Sequence, residues 1–444
     1  MGRFRKSEIA AAEVHATLRR HMLVDGYPFV VDLERSQGSI VRDAITGREL
    51  VDFYTFFASN PLGFNHPGMI DERTRERLVR TASVKVANSD KYTVELAEFV
   101  DTLERTAAPP ELSKYFFVEG GALAIENALK TAFDWKVRRN LAAGRGPLGH
   151  KVLHLEHAFH GRSGYTMSLT NTDPIKTEYF PKFDWPRIPS PMIRFPLDAH
   201  RAEVEAREAA SIAAAEAAFA ASPHEIAAII LEPIQSEGGD HHFRPEYFAA
   251  LRRLADEHDA LLIYDEVQTG VGGTGKWWAY QHHGVLPDIL CFAKKMQLGG
   301  IMVGPRIDDV EENVFVKPSR INSTWGGGLV DMVRATRILE IIVEEDLLEN
   351  ARLRGEELRA GLERLAERHS IVENVRGQGL LCALDLPDAT VRNETLRRCF
   401  DEAMLVLACG RRSLRFRPAL TVSAEIIAEG IARLDRALAS SGAR

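Results

Sequence analysis

The chain has 444 residues, 45% of them hydrophobic, and carries 56 Lys plus Arg against 63 Asp plus Glu, a net charge of −7. That length and apolar content imply a globular protein of two or more domains, and the mild acidity argues against a general affinity for nucleic acid or anionic membrane. No apolar run reaches the roughly 18 residues of a spanning helix, and the amino end, MGRFRKSEIAAAEVHATLRRHM, lacks the apolar core of a secretory signal. The cysteines, Cys291, Cys382, Cys399 and Cys409, are scattered and without C-x-x-C spacing. They read as reduced thiols in a cytoplasm rather than a disulfide framework.

Residues 1 to 20 read as an amphipathic helix. Short β-like runs follow, with Gln37-Gly38 and Thr46-Gly47 suggesting tight hairpins. Residues 71 to 107 are mostly helical. In KYFFVEGGALAIENALKTAFDWKVRRN, a strand leads through two glycines into a long helix from about Ala122, an arrangement that forms an anion site. KVLHLE (151 to 156) is a strand, followed by the loop AFHGRSGYTMSLT. The Ala-rich segment 203 to 221 reads as a surface helix and precedes a buried strand, IAAIILEPI (226 to 234). A helix near 245 to 258 leads into two further buried strands. LLIYDEV ends on Asp265, and PDILCFAK ends on Lys294. Strands and helices thus alternate from about 115 to 305, which predicts an α/β fold with a mostly parallel sheet covered on both faces. From Asp331 to about Ser370 the pattern is helical. The remainder, with strands in GLLCALDL and LRFRPAL, reads as a smaller α+β domain.

Two motifs invite other chemistries. GVGGTGK (270 to 276) matches the first part of a phosphate-binding P-loop, but Trp277 stands where Ser or Thr should hold magnesium, so a turn leaving a strand is the better reading. His154, His157 and His160 are three apart. That spacing converges on a helix but not on a strand, so a metal site is not expected. The pairs His241-His242 and His282-His283 read as surface or loop residues, and Trp277 and Trp278 as packing residues.

A lysine and an aspartate at neighbouring strand ends, a Gly-Gly turn opening a helix, and a Phe-His-Gly-Arg loop ask for one explanation. A pyridoxal phosphate site uses them all. The aldehyde needs a lysine, the pyridine nitrogen a carboxylate, the phosphate a helix start, and the ring an apolar face.

With DEVQTG followed by PDILCFAK, and with motifs from FASNPLGFNHP to LRFRPALTV, the chain resembles the class III, or ω-, aminotransferases of PLP fold type I. Within that family the resemblance is strongest to the lysine 6-aminotransferase branch, through VEGGALAIENALKTAFDWK, AFHGRSGYTMSLTNT, FPKFDWPRI, EPIQSEGGDHHFRPEYF and INSTWGG. It implies an aspartate-aminotransferase-like large domain (76 to 330), a small α+β domain (331 to 444) and an amino-terminal segment (1 to 75) packing with the latter. It makes Lys294 the Schiff-base lysine and proton shuttle, with Lys295 a rival read as an exposed neighbour. Asp265 would pair with the ring nitrogen, Gln268 with the phenolic oxygen, and Glu232 would support that end. Gly121 and Ala122 fill the phosphate turn, Phe159 stacks on the ring, and Thr324 reaches the phosphate of the other subunit of a homodimer.

For substrates, the resemblance makes Arg415 the grip on the α-carboxylate of 2-oxoglutarate, a planar fork suited to a carboxylate. Arg417, two residues on along the strand, is a lesser candidate. Arg162 would hold a further substrate carboxylate. Glu237 would cover Arg415 while lysine reacts and swing away for the keto acid. The implied reaction moves the ε-amine of L-lysine to 2-oxoglutarate by ping-pong kinetics. Ornithine, 4-aminobutyrate or diaminobutyrate are alternative donors, and an aminomutase is a more distant alternative. The sequence departs from the family at Gly120-Gly121-Ala122-Leu123-Ala124, at Gly328 in place of an Asn, and at KMQLGG after the lysines. These departures bear on substrate preference.

Overall fold

A computed structural model describes residues 8 to 439. Its amino-terminal part carries a short helix, Val14–Arg19, and then a hairpin of strands β1 (Ile40–Arg42) and β2 (Glu49–Asp52), turned at Gly47 in the left-handed region. The predicted helical stretch divides into Glu72–Ser83 and Val94–Thr106. Each is capped by its own sequence: the Asp71 carboxylate accepts from the Thr74 amide at 3.0 Å, and the Thr93 hydroxyl from the Leu96 amide at 3.2 Å.

Seven further strands build the central sheet: β3 (Lys114–Val118), β4 (Lys151–Leu155), β5 (Arg187–Ile188), β6 (Ile226–Leu231), β7 (Leu261–Asp265), β8 (Ile289–Phe292) and β9 (Gly299–Val303). Their order is β3-β9-β8-β7-β6-β4-β5, and β9 alone runs antiparallel to its neighbours. β3, β4, β6, β7 and β8 therefore point the same way, and their carboxyl ends share one edge, where an open α/β sheet presents a ligand. The strands read as continuous apolar runs because both faces are covered. Ile230, Ile263 and Cys291 face Ala124, Ile125 and Ala128 of the helix Gly121–Ala142. Leu262, Tyr264, Leu290 and Phe292 face Phe248 and Leu251 on the other side.

The strand β9 was not expected from KMQLGG. Its glycines explain it. A Cβ at Gly299 would lie 2.5 Å from the Gly120 carbonyl oxygen, and one at Gly300 would meet the Phe292 ring, so only glycine lets this strand enter between β3 and β8.

The carboxyl-terminal part holds the helices Leu329–Glu344 and Leu347–Arg368. It then forms β10 (Glu373–Gln378), β11 (Leu381–Asp385), β12 (Met404–Leu405), β13 (Leu407–Cys409) and β14 (Ser413–Phe416), and ends in a helix, Ala424–Ala439. β10-β11-β14-β13 form an antiparallel sheet, while β12 runs parallel to β2, so Met404 pairs with Val51 and the two ends of the chain share a sheet. All four cysteines are buried and free. Burial raises the thiols of Cys382, Cys399 and Cys409 to about 12.

This sheet carries three arginines, Arg376 in β10, Arg415 in β14 and Arg417 just beyond it, each about 1% exposed. Arg417 is committed to structure. Its guanidinium pairs with the buried Asp240 and its amide donates to the Phe53 carbonyl at 2.8 Å. Arg376 binds the Asp385 carboxylate at 2.8 Å and the Ser413 hydroxyl at 3.0 Å. Removing one partner of such a pair strands a buried charge. Arg417→Met is expected to cost about 3–5 kcal/mol, read as a lower midpoint of denaturant unfolding. An unchanged midpoint would contradict this role.

Candidate active site

A cleft of about 690 Å³ opens at the carboxyl edge of the sheet. Its lining includes Gly121, Phe159, Arg162, Asp265, Gln268 and Lys294, drawn from the ends of four different strands, β3, β4, β7 and β8, and the connections that follow them. The cleft also takes in Ala122 and Glu232.

Asp265 closes β7 and is 5% exposed. Its Oδ1 accepts from the Val267 amide at 3.0 Å, and its Oδ2 lies 2.7 Å from His160 Nδ1. His160 is itself buried, and its Nε2 has no protein partner. The amide of His160 is fixed by the Thr170 hydroxyl at 3.0 Å. In the sequence His160 stands out only as one of three spaced histidines, and its position beside Phe159 in the FHGR loop is the sole clue to this orienting contact. The other two histidines of that triplet diverge, with His154 Nε2 facing Arg187 Nε at 3.2 Å and His157 in the left-handed region.

Lys294 follows β8 in a tight turn, Lys294–Met296, at φ 33. Its Nζ makes no hydrogen bond among the described residues. Burial, and then the charge of Arg415, pull its pKa down to about 8, against the opposing pull of Asp265, Glu237 and Glu232. The ammonium is thus poised to become a free amine near neutral pH.

Lys295 is corrected. It is 5% exposed, not an exposed neighbour. Its Nζ donates to the carbonyls of Gln268 at 2.6 Å and Gly270 at 3.0 Å, so it braces the loop behind the cleft. The glycine run in that loop is a close-packing device: Gly273 accepts from the Leu380 amide at 2.9 Å, and a Cβ at Gly379 would lie 2.4 Å from the Thr274 carbonyl carbon. Trp278 is fully buried and its indole donates to the Ala107 carbonyl, as a packing residue should. His241 and His242 are half-buried rather than surface residues, and burial drives their pKa values down to about 3 and about 4.

Glu232, just beyond β6, accepts the amides of Phe159 at 3.0 Å and Ser236 at 3.2 Å. Burial, and then the neighbouring Asp265 charge, push its carboxyl well above the usual range. Gln268 Oε1 accepts from Arg415 Nη1 at 3.0 Å, which leaves its amide NH2 free to donate elsewhere. Arg415 Nη2 donates to Glu237 Oε2 at 2.6 Å. Burial would raise the Glu237 carboxyl, but Arg415 and Lys176 outweigh it and hold it below the ordinary value.

The helix Gly121–Ala142 starts at the cleft with no side chain capping it, because the residue at its N-cap, Gly120 at φ 92, has none. Its first amides are open to an anion. A Cβ on Gly121 would lie 2.8 Å from Val267 Cγ1. The loop 159 to 166 is tied to this helix by Glu126, which accepts from the Ser163 hydroxyl at 2.8 Å and the Thr166 amide at 3.2 Å. Arg162 is exposed at the mouth. Thr324 is exposed and lies outside the cleft of its own chain, its carbonyl accepting from the Ser89 hydroxyl at 3.1 Å.

The sequence profile of the family described as aminotransferase class-III matches residues 22–438. The chain belongs to the class-III aminotransferases. Among class-III relatives, the L-lysine-epsilon aminotransferase of Mycobacterium tuberculosis is 54% identical over 428 residues, covering 96% of this chain and 95% of that protein. The enzyme of the same description from Streptomyces clavuligerus is 51% identical over 434 residues, covering 97% and 94%. The solved lysine aminotransferase of M. tuberculosis in the internal aldimine form superposes with a TM-score of 0.96 at 53% identity, covering 98% of this chain and all of that one. The class-III fold, a PLP-dependent transaminase architecture, agrees with the sheet and small domain described above. Among the described residues no helix is long and apolar enough to cross a membrane.

Proposed function

We propose that the chain transfers the ε-amino group of L-lysine to 2-oxoglutarate, giving 2-aminoadipate 6-semialdehyde and L-glutamate, with pyridoxal 5'-phosphate as cofactor. The observation that carries this reading is a fully buried arginine, Arg415, covered by the removable carboxylate of Glu237, in the neighbourhood of Lys294 and Asp265. The identity to relatives named for lysine supports the choice of donor.

The residues present fit the cofactor. Lys294 offers the cofactor aldehyde an Nζ that makes no hydrogen bond among the described residues. Asp265, oriented by His160, suits the ring nitrogen. The free NH2 of Gln268 suits the phenolic oxygen. Gly121 and Ala122 suit the phosphate at the uncapped helix start, joined by Thr324 of a second copy of the chain in a homodimer. Phe159 offers a ring face, and Glu232 fixes the Phe159 amide. When bound, pyridoxal phosphate supplies an aldehyde that carries the amino group and a ring that accepts electrons.

The chain's own residues then do the following. The Lys294 amine would act as the proton shuttle, taking the proton from the ε-carbon of the bound lysine and carrying it until it is returned. Asp265 holds a proton at the ring nitrogen. Arg162 receives the α-carboxylate of lysine, which leaves Arg415 to be neutralised by Glu237, since an uncovered buried guanidinium would be costly. When 2-oxoglutarate enters, its α-carboxylate takes Arg415 and Glu237 moves off. Two dissimilar substrates thereby use one cleft in turn, which is ping-pong kinetics.

The proposed packing of the amino-terminal segment (1 to 75) with the small domain (331 to 444) is supported by the Met404–Val51 pairing.

The substrate experiment pairs 2-oxoglutarate with lysine, ornithine and 4-aminobutyrate. Lysine is expected to be the best donor; no turnover of lysine would sink the reading. A pH experiment follows from Lys294. Its folded pKa of about 8 lies below that of a free lysine, so its reactive amine form appears as pH rises through about 8. Capture of pyridoxal phosphate by the cofactor-free chain should accelerate through that pH and level off above it, as followed by absorbance. A midpoint near that of a free lysine would contradict the burial argument.

A further inference from the structure

Glu237 has a second cationic partner that the family pattern did not point to. Lys176 ends a tight turn, Pro174–Lys176, which the Asp173 carboxylate opens by accepting from the Ile175 amide at 3.1 Å. From there its Nζ donates to Glu237 Oε1 at 2.6 Å and to the Thr172 hydroxyl at 3.2 Å, and lies 5.3 Å from the centre of the Phe159 ring. The two carboxylate oxygens are thus divided. Oε2 belongs to Arg415 and Oε1 to Lys176. The two ends of this bridge differ in setting: the Arg415 side chain is 1% exposed, that of Lys176 23% and that of Glu237 25%.

We propose that Lys176 is a positioning residue for the Glu237 carboxylate, holding Oε1 as a pivot while an incoming dicarboxylate displaces Oε2 from Arg415. This rests on the proposed two-substrate use of the cleft. A substrate carboxylate at Arg415 competes for the Oε2 contact alone. Glu237 can rotate about its bond to Lys176 and keep a charge partner throughout. Without Lys176, the displaced Glu237 would stand unpaired beside the substrate's own carboxylate, a like-charge contact that opposes entry. Lys176 therefore favours the dicarboxylate acceptor over the amine donor, whose binding leaves the Arg415–Glu237 contact closed.

A partly exposed ion pair of this kind is usually worth little, so the test must report coupling to Glu237. Glutarate, an unreactive dicarboxylate, is titrated calorimetrically into the cofactor-loaded protein and its variants. Lys176→Met is expected to weaken glutarate by roughly tenfold, within the range of coupled neighbouring groups, and Lys176→Arg to restore most of that affinity. In a Glu237→Gln background the same Lys176→Met change should alter glutarate affinity by less than about twofold. In half-reactions followed by absorbance, Lys176→Met should raise the half-saturating concentration of 2-oxoglutarate more than that of lysine. An equal loss in both Glu237 backgrounds would reduce Lys176 to a general positive field and overturn the proposal. So would no loss in the unmodified background, or no glutarate binding to the unmodified protein. If the unmodified protein fails to turn over lysine with 2-oxoglutarate, the proposed reaction falls, while the glutarate titrations still decide the role of Lys176.

Discussion

Lys294→Ala lowers kcat by more than about 10³-fold, in the upper part of the range a positioned proton-transfer group contributes. The expectation follows from where the residue stands. β8 delivers it to the edge of the sheet, burial pulls its pKa down to about 8, and its Nζ is not spent on a protein contact among the described residues. Its neighbour has the opposite character. Lys295 is held by two carbonyl oxygens, and burial pulls it to about 7 without giving it access to the cleft. Replacing Lys295 should act through the loop that carries Gln268, with a smaller effect on kcat. Borohydride reduction of the cofactor-loaded protein followed by peptide mass spectrometry separates the two. The added mass is expected on Lys294; finding it on Lys295 would overturn the assignment.

Asp265→Asn lowers kcat by roughly 10²–10³-fold, the usual loss when one preorganised electrostatic group is removed. The substitution keeps the shape of the side chain and its contact with the Val267 amide, but removes the negative charge that faces His160 Nδ1 at 2.7 Å. Glu232 is committed to the amides of Phe159 and Ser236, so it is not placed to replace that charge. Asp265→Glu would keep the charge but displace it by one methylene, and should fall between the two. Cofactor content and thermal unfolding, measured beside kcat, keep a chemical loss distinct from misfolding. Wild-type rates for Asp265→Asn would contradict the role.

The parts of the fold that were legible in the sequence are those where local pattern and burial agree. β7 and β8 are short apolar runs that end on Asp265 and just before Lys294, and the parallel sheet that buries both faces leaves no other reading of such runs. The uncapped helix start at Gly121 was legible because two glycines follow an apolar strand. What was hidden depends on contacts between distant segments. β9 could not be read from KMQLGG, because its identity lies in the tight space beside Gly120 and Phe292. Lys295 looked exposed because sequence does not reveal the carbonyl oxygens that receive it. His160 and Lys176 lie 105 and 61 residues from the carboxylates they contact, and neither carries a local motif for that pairing.

In the proposed reaction the ε-amine of lysine, and not its α-amine, passes through this cleft to a keto acid. Incubation with 2-oxoglutarate and lysine labelled with nitrogen-15 at the ε-position, followed by mass spectrometry of the glutamate, tests it most directly. Labelled glutamate together with 2-aminoadipate 6-semialdehyde is the expected result. Unlabelled glutamate, with the label retained in a 2-oxo acid product, would contradict it.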